Sequence, residues 1–246
     1  MAHNHNSLIE ALPARERKLL VANAQTVPLL MHTVECEADA PVDSVLFPLS
    51  GFLSLVVKLE DAPGMEVGMV GSEGMVGVSL ALGAKTLPWH IVVQGEGEAL
   101  KLASKVFGKL LTQCPALQQQ MHHYAYVVLD QTATMSACNR FHTVHQRLSR
   151  WLLMNHDRAQ ADSFLMTQEF LAYMLGVRRV SITQAASALQ AADLIRYRRG
   201  SIEIVSRAGL ELEACSCYRQ SLGVYARAFL SIGIEHCLQR KNSVDF

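Results

Sequence analysis

Alternation of apolar and polar positions divides the chain into two parts. Ser44-Val45-Leu46-Phe47-Pro48 and Gly51-Phe52-Leu53-Ser54-Leu55-Val56-Val57 are rich in β-branched and aromatic residues and bounded by turn formers. Met65–Val70, Ile91–Val93 and Glu98–Leu102 continue the pattern, so short strands with frequent turns are predicted there. Leu8–Ala24 reads as a helical lead-in. Many short strands without a long helix between them predict an antiparallel roll or barrel. From Leu117 the period changes. Leu117, Met121, Tyr124, Val128, Gln131, Met135 and Cys138 recur at alternating spacings of four and three, a heptad seam. Such a seam fits either a helix packed on its own domain or a parallel two-helix dimer contact. The second is adopted, because Gln131 inside the seam is the kind of polar group that sets register.

Asn139-Arg140-Phe141-His142 interrupts that seam, and Thr143-Val144-His145-Gln146 then has the form of a capping box. A hinge between two helices is predicted at 139–142. Further on, Thr167 is a good helix N-cap with Glu169 in the first turn, and Phe170, Leu171, Met174 and Leu175 give an apolar face. Gly176-Val177 makes a short turn, and a second helix follows from about Arg178 with Ile182, Ala185, Ala186 and Leu189 inward. Two short helices joined by a glycine turn form the helix-turn-helix plan. Arg196 to Ile204 then reads as two strands around an Arg199-Gly200 turn, a wing.

The outward positions of the second helix are Arg178, Arg179, Ser181, Thr183, Gln184 and Ser187. Short polar groups plus arginines near a helix N-terminus suit hydrogen bonding to base edges in a major groove. Arg198 and Arg199 on the wing suit phosphate contacts, which add affinity without sequence information. Thr167 and Gln168, heading the first helix, complete the candidate DNA-contact set.

Composition sharpens the division. Lys plus Arg and Asp plus Glu are both 22, yet residues 1–138 hold 8 basic and 13 acidic side chains, while residues 139–208 hold 10 basic, all arginine, and 5 acidic. A basic module beside an acidic one predicts a polyanion partner at one end only. Ten of the fifteen glycines lie between Gly51 and Gly108, and all seven prolines lie at or before Pro115. Turns therefore concentrate in the first part and helix in the second. The start has no apolar signal core, and the longest stretch without Lys, Arg, Asp or Glu, 110–129, carries Pro115, glutamines and histidines. No membrane span is expected, and a cytoplasmic chain with reduced thiols is. There is no glycine-rich phosphate loop, HExxH or GxSxG, so no enzyme is expected.

The chain resembles the CRP/FNR-type transcription regulators, the catabolite-activator-like group. The resemblance covers about residues 8–212. It is carried by Leu165-Met166-Thr167-Gln168-Glu169-Phe170-Leu171-Ala172-Tyr173-Met174-Leu175-Gly176-Val177-Arg178-Arg179, by the wing Arg199-Gly200-Ser201-Ile202-Glu203-Ile204, and by Val70-Gly71-Ser72-Glu73-Gly74-Met75-Val76-Gly77 in the roll. It implies an α+β fold: a β-roll sensor domain resembling the cyclic-nucleotide-binding jelly roll over 1–115, a dimerisation helix over 116–139, and a winged helix-turn-helix domain over 140–246 ending in a C-terminal helix. It also implies a homodimer on palindromic double-stranded DNA, with RNA polymerase as a further partner. The alternative is a cyclic-nucleotide or small-ligand module without DNA function.

Cyclic-nucleotide binders of that family carry a Gly-Glu-Leu motif and then an Arg-Ser pair. The matching stretch here is Gly77-Val78-Ser79, and the pair falls near Trp89-His90. Glu73, Gly74, Gly77, Val78, Trp89 and His90 are thus the candidate ligand-pocket residues. A pocket without the carboxylate and guanidinium cannot pair a buried phosphate cheaply, so an effector other than cAMP is expected. Val180 stands where the family's recognition helix offers Glu, and Gln184 where it offers Arg; Gln favours adenine, so a different operator is expected. Only Cys36 precedes Cys114, so no iron–sulfur cluster is expected, and the cofactor is left unknown. Cys138, His142 and His145 form a C-x3-H-x2-H run without an obvious fourth ligand, and no metal site is assigned. Cys215 and Cys217 form a CxC pair before an amphipathic stretch, Tyr218–Leu238, and are read as packing thiols or a redox switch, as is Cys138 at the seam.

Overall fold

The computed structural model describes residues 5–61, 64–159 and 161–230. The predicted lead-in helix is two helices, α1 (Ser7–Glu10) and α2 (Ala14–Ala22). Pro13 lacks an amide proton, so it cannot continue the first and instead opens the second. The strands follow: β1 (Gln25–Leu29), β2 (Val34–Cys36), β3 (Ser44–Pro48), β4 (Phe52–Val57), β5 (Met65–Val70), β6 (His90–Gly95) and β7 (Gly97–Ala103). A 3-10 turn occupies Val78–Leu82. All pairings are antiparallel, in a sheet of order β1-β7-β3 and another of order β2-β6-β4-β5. Leu29, Leu46, Leu53, Val70, Ile91 and Val93 fill the roll between them. Strands β1 and β2 are not predicted: β1 contains Pro28 and is exposed over most of its length, and β2, at three residues, is too short to show alternation.

Helix α3 (Ser104–Gln113) leads into α4 (Pro115–Phe141), with Pro115 in the first turn, where its missing donor costs nothing. The long helix runs two residues past its predicted end and breaks at His142, whose backbone is extended. Helix α5 (Val144–Ala159) opens with the expected capping box: the Gln146 amide donates to Thr143 Oγ1 at 3.3 Å, and the Thr143 amide donates to Gln146 Oε1 at 3.1 Å.

The heptad seam faces the protomer's own core, which corrects the dimer reading of those positions. Leu117, Met121, Tyr124, Met135 and Cys138 are all buried within the chain, and Val128 and Gln131 are half-buried. They are covered by α3, the roll and α9 (Cys217–Leu230), which lies along α4 and whose Val224, Tyr225 and Phe229 join the same core. The exposed face of α4 instead carries His122, Tyr126, Leu129, Ala133, Ser136 and Arg140, also at alternating spacings of four and three. The last part of the predicted amphipathic stretch, 231–238, lies outside the described residues.

The C-terminal part holds β8 (Ser163–Leu165), α6 (Gln168–Leu175), α7 (Arg179–Ala191), β9 (Ile195–Arg198), β10 (Ser201–Ile204) and α8 (Arg207–Glu213). A core of Trp151, Leu152, Leu171, Leu175, Ile182, Leu189, Ile195 and Ile202 joins these elements. Phe52, Val56 and Met69 of the roll belong to the same cluster, so α5 and α6 pack against the outer face of β4 and β5. No helix among the described residues is long and apolar enough to cross a membrane.

Candidate nucleic-acid interface

Local chemistry builds the helix-turn-helix. Thr167 Oγ1 accepts from the Phe170 amide at 3.1 Å, capping α6. Gly176 ends α6 in the left-handed region at φ 62°, which a glycine enters without strain. Arg178 is extended and α7 begins at Arg179 with no side chain capping its first turn. The positive end of that helix and its free amide donors therefore lie beside two exposed arginines, an arrangement that attracts a phosphate.

Arg178, Arg179, Val180, Thr183, Gln184 and Ser187 are exposed, and Ser181 is half-buried. Ile182, Ala185, Ala186 and Leu189 on the opposite face are buried. Thr183 Oγ1 donates to Gln168 Oε1 at 2.7 Å and lies 3.2 Å from the Arg179 carbonyl. Gln168 thus ties α6 to α7 and fixes Thr183 in the middle of the exposed face of α7. The wing hairpin turns through Arg199 at φ 51° and Gly200 at φ 78°, the signature of a type I′ turn, which holds Arg198 and Arg199 exposed at its tip. Tyr197 anchors the wing by donating from its hydroxyl to the Met166 carbonyl at 3.1 Å. The third strand, β8, pairs with β10 and was absent from the predicted two-stranded wing; at three residues it is too short to show a period.

The candidate ligand-pocket residues separate. Gly77, Val78 and Trp89 line a cavity inside the roll together with Leu55, Val70, Met75, Leu87, Ile91, Tyr124 and Val128. Its volume is about 10 Å³, room for about one water molecule, and its walls are apolar. Glu73, Gly74 and His90 do not line it, which corrects that part of the expectation. His90 Nδ1 pairs with Glu37 outside the cavity. Glu73 forms an ion pair with Arg158 of α5 at 2.7 Å and also accepts from the Gly71 amide at 3.2 Å. Gly74 passes so close to Tyr124 that a Cβ there would overlap the phenol oxygen. The Val70–Gly77 stretch is therefore a joint between the roll, α4 and α5, where the carboxylate is used to hold an arginine.

The thiols also regroup. His145, expected beside Cys138 and His142, pairs with Glu213 at 2.7 Å. Cys215 and Cys217, distant in sequence, close on Cys138 and His142 instead. Sequence showed both halves, the C-x3-H step and the CxC pair, but nothing local links them.

Residues 146–213 match the family profile described as the Crp-like helix-turn-helix domain. No curated protein matches the chain. Among solved structures, a candidate transcriptional regulator of the CRP/FNR family from Eubacterium rectale superposes with a TM-score of 0.67 at 16% identity, covering 85% of this chain and 98% of that one. The c-di-GMP-responsive global regulator CLP of Xanthomonas campestris gives 0.63 at 17% identity, over 79% of this chain and 100% of its own. A CRP/FNR-family regulator from Thermus thermophilus gives 0.64 at 18% identity, over 77% and 98%. The chain carries a Crp-like helix-turn-helix domain set in the fold of the CRP/FNR-type transcription regulators.

Proposed function

We propose that the chain is a homodimeric, sequence-specific DNA-binding transcription regulator. The single observation that carries this reading is the exposed face of α7, with Arg178, Arg179, Gln184 and Ser187 beside the wing-tip Arg198 and Arg199. Base-edge readout falls to Arg179, Thr183 and Gln184, and phosphate contact to Arg178, Arg198 and Arg199. Titrating labelled operator and scrambled duplexes by fluorescence anisotropy at fixed salt tests it. Arg179→Ala is expected to weaken operator binding by roughly 1–3 kcal/mol while leaving scrambled DNA nearly unaffected. Equal affinity of wild type for both duplexes would contradict a specific role. Adding cAMP to the same titration is expected to leave the curve unchanged, because the roll cavity is apolar and water-sized.

The dimer contact in this reading is the outer face of α4. Tyr126 is 52% exposed and Leu129 67%, large apolar groups on a face that otherwise meets water. Pairing that face would bury them and set the two α7 helices on successive major grooves, about one DNA turn apart. Leu129→Arg would place an unpaired charge in the contact, at a cost of roughly 3 kcal/mol, about two orders of magnitude in the dimer dissociation constant. Sedimentation velocity reads this directly; an unchanged oligomer would move the contact elsewhere.

A further inference from the structure

We propose that Cys138, His142, Cys215 and Cys217 bind one structural zinc ion that clamps the end of α4 to the segment between α8 and α9. Cys138 lies in the last turn of α4, His142 is the residue at which α4 ends, Cys215 precedes α9 and Cys217 begins it. Their four ligand atoms all lie within 4.8 Å of one another. Cys138 Sγ stands 3.6 Å from Cys215 Sγ, and Cys217 Sγ stands 3.6 Å from His142 Nδ1. Zinc at its usual 2.3 Å to sulfur and about 2.0–2.1 Å to nitrogen needs tetrahedral edges of about 3.8 Å between sulfurs and about 3.6 Å from sulfur to nitrogen. These two separations match those edges, the other pairs lie within 4.8 Å and close by up to about 1 Å on binding, and the sulfur–sulfur distance exceeds a disulfide bond, about 2.05 Å, by a wide margin.

The surroundings supply an independent reason. Arg150 is 5% exposed, its Nε has no hydrogen-bond partner, and among the described residues it makes no ion pair with a carboxylate. Its Nη1 lies 3.4 Å from Met135 Sδ and 3.9 Å from Cys138 Sγ. A buried guanidinium whose Nη1 meets two sulfurs, with the Glu66 carboxyl acting on it without forming an ion pair, is costly unless one of those sulfurs is anionic. Zinc held by three thiolates and a neutral imidazole carries one net negative charge, which Arg150 balances. On binding, the three thiols release their protons to solvent and His142 coordinates through Nδ1, keeping its proton on Nε2. A two-iron cluster would spread its ligand pairs farther than this quartet allows, and an all-N/S tetrahedral set selects zinc over harder cations.

The clamp sits at the only sequence break between α4 and α5, so it would fix the hinge and hold α9 along α4. This inference does not depend on DNA binding, and its test involves none. The full chain is purified in a phosphine reductant, incubated with zinc and desalted, and its metal is counted by mass spectrometry. About one zinc per chain is expected. Exchange with cobalt should give thiolate-to-metal charge transfer and the intense visible bands of a tetrahedral ion. Cys217→Ser and His142→Ala should each lose the ion, whereas Cys36→Ser, outside the quartet, should keep it. Should the ligand variants fail to fold, the cobalt spectrum of the wild-type chain decides alone. Wild-type protein without metal, cobalt bound in octahedral geometry, or a Cys138–Cys215 disulfide in the freshly reduced chain would each overturn the proposal.

Discussion

Glu73→Gln is expected to lower the unfolding free energy by about 3 kcal/mol, because it strands a buried cation. The Arg158 side chain is 10% exposed and is held by Glu73 through Nε at 2.9 Å and Nη2 at 2.7 Å. Its remaining donor, Nη1, reaches the Met154 carbonyl at 3.0 Å. Removing the carboxylate charge leaves the guanidinium desolvated without its anion. The reverse variant, Arg158→Met, should cost less, since the Glu73 side chain is 23% exposed and water can take over its solvation. The double variant should recover part of the loss, which is the mark of a coupled pair. Urea unfolding followed by circular dichroism measures all three; a Glu73→Gln midpoint equal to wild type would show that the pair holds nothing. Because Glu73 belongs to the roll and Arg158 to α5, the same variants should loosen the packing between those parts.

The second large effect is a pH dependence centred on Glu66. This β5 carboxyl is 2% exposed, accepts from Ser54 Oγ at 2.5 Å and from Trp151 Nε1 of α5 at 3.0 Å, and burial pushes it up to about 7. The folded chain therefore keeps a proton there that the unfolded chain, with an ordinary carboxyl near 4.5, releases. Stability from this site is fully present below about pH 4.5 and is lost as pH rises through about 7, reaching a deficit of about 3 kcal/mol. Glu66→Gln keeps the bond from Trp151 Nε1 at its amide oxygen and donates from its amide nitrogen to Ser54 Oγ, the hydroxyl turning from donor to acceptor, without a titrating group. Its advantage over wild type should grow from near zero at about pH 4.5 to about 3 kcal/mol at about pH 8. A difference that stays constant across that range would place the carboxyl in an ordinary environment. Like Glu73, Glu66 joins the roll to α5, so two acidic residues of one strand and its following turn hold the two halves together by different means: a neutral hydrogen-bonded carboxyl and an ion pair.

What proved legible in the sequence was local. The Thr143 capping box, the Thr167 N-cap, the left-handed Gly176 and the Arg199-Gly200 turn are decided within a few residues, and each stands where its residues predicted. The inward and outward faces of α7 likewise follow from a single period, because helix geometry alone assigns them. Periodicity reports that a stripe is buried but not what buries it. The 117–138 seam was therefore readable as a stripe, while its partner, α9 from nearly a hundred residues later, was not. The same holds for chemistry. Glu73 is a candidate pocket residue by its place in the roll but the ion-pair partner of Arg158 in the fold, and Cys215 and Cys217 gain their third and fourth neighbours only from the end of α4. Short-range hydrogen bonding and the turn period set the elements of this protein. Long-range packing, which brings residues from distant stretches into one buried volume, decided which faces are free to meet DNA or a second copy and which groups are spent inside.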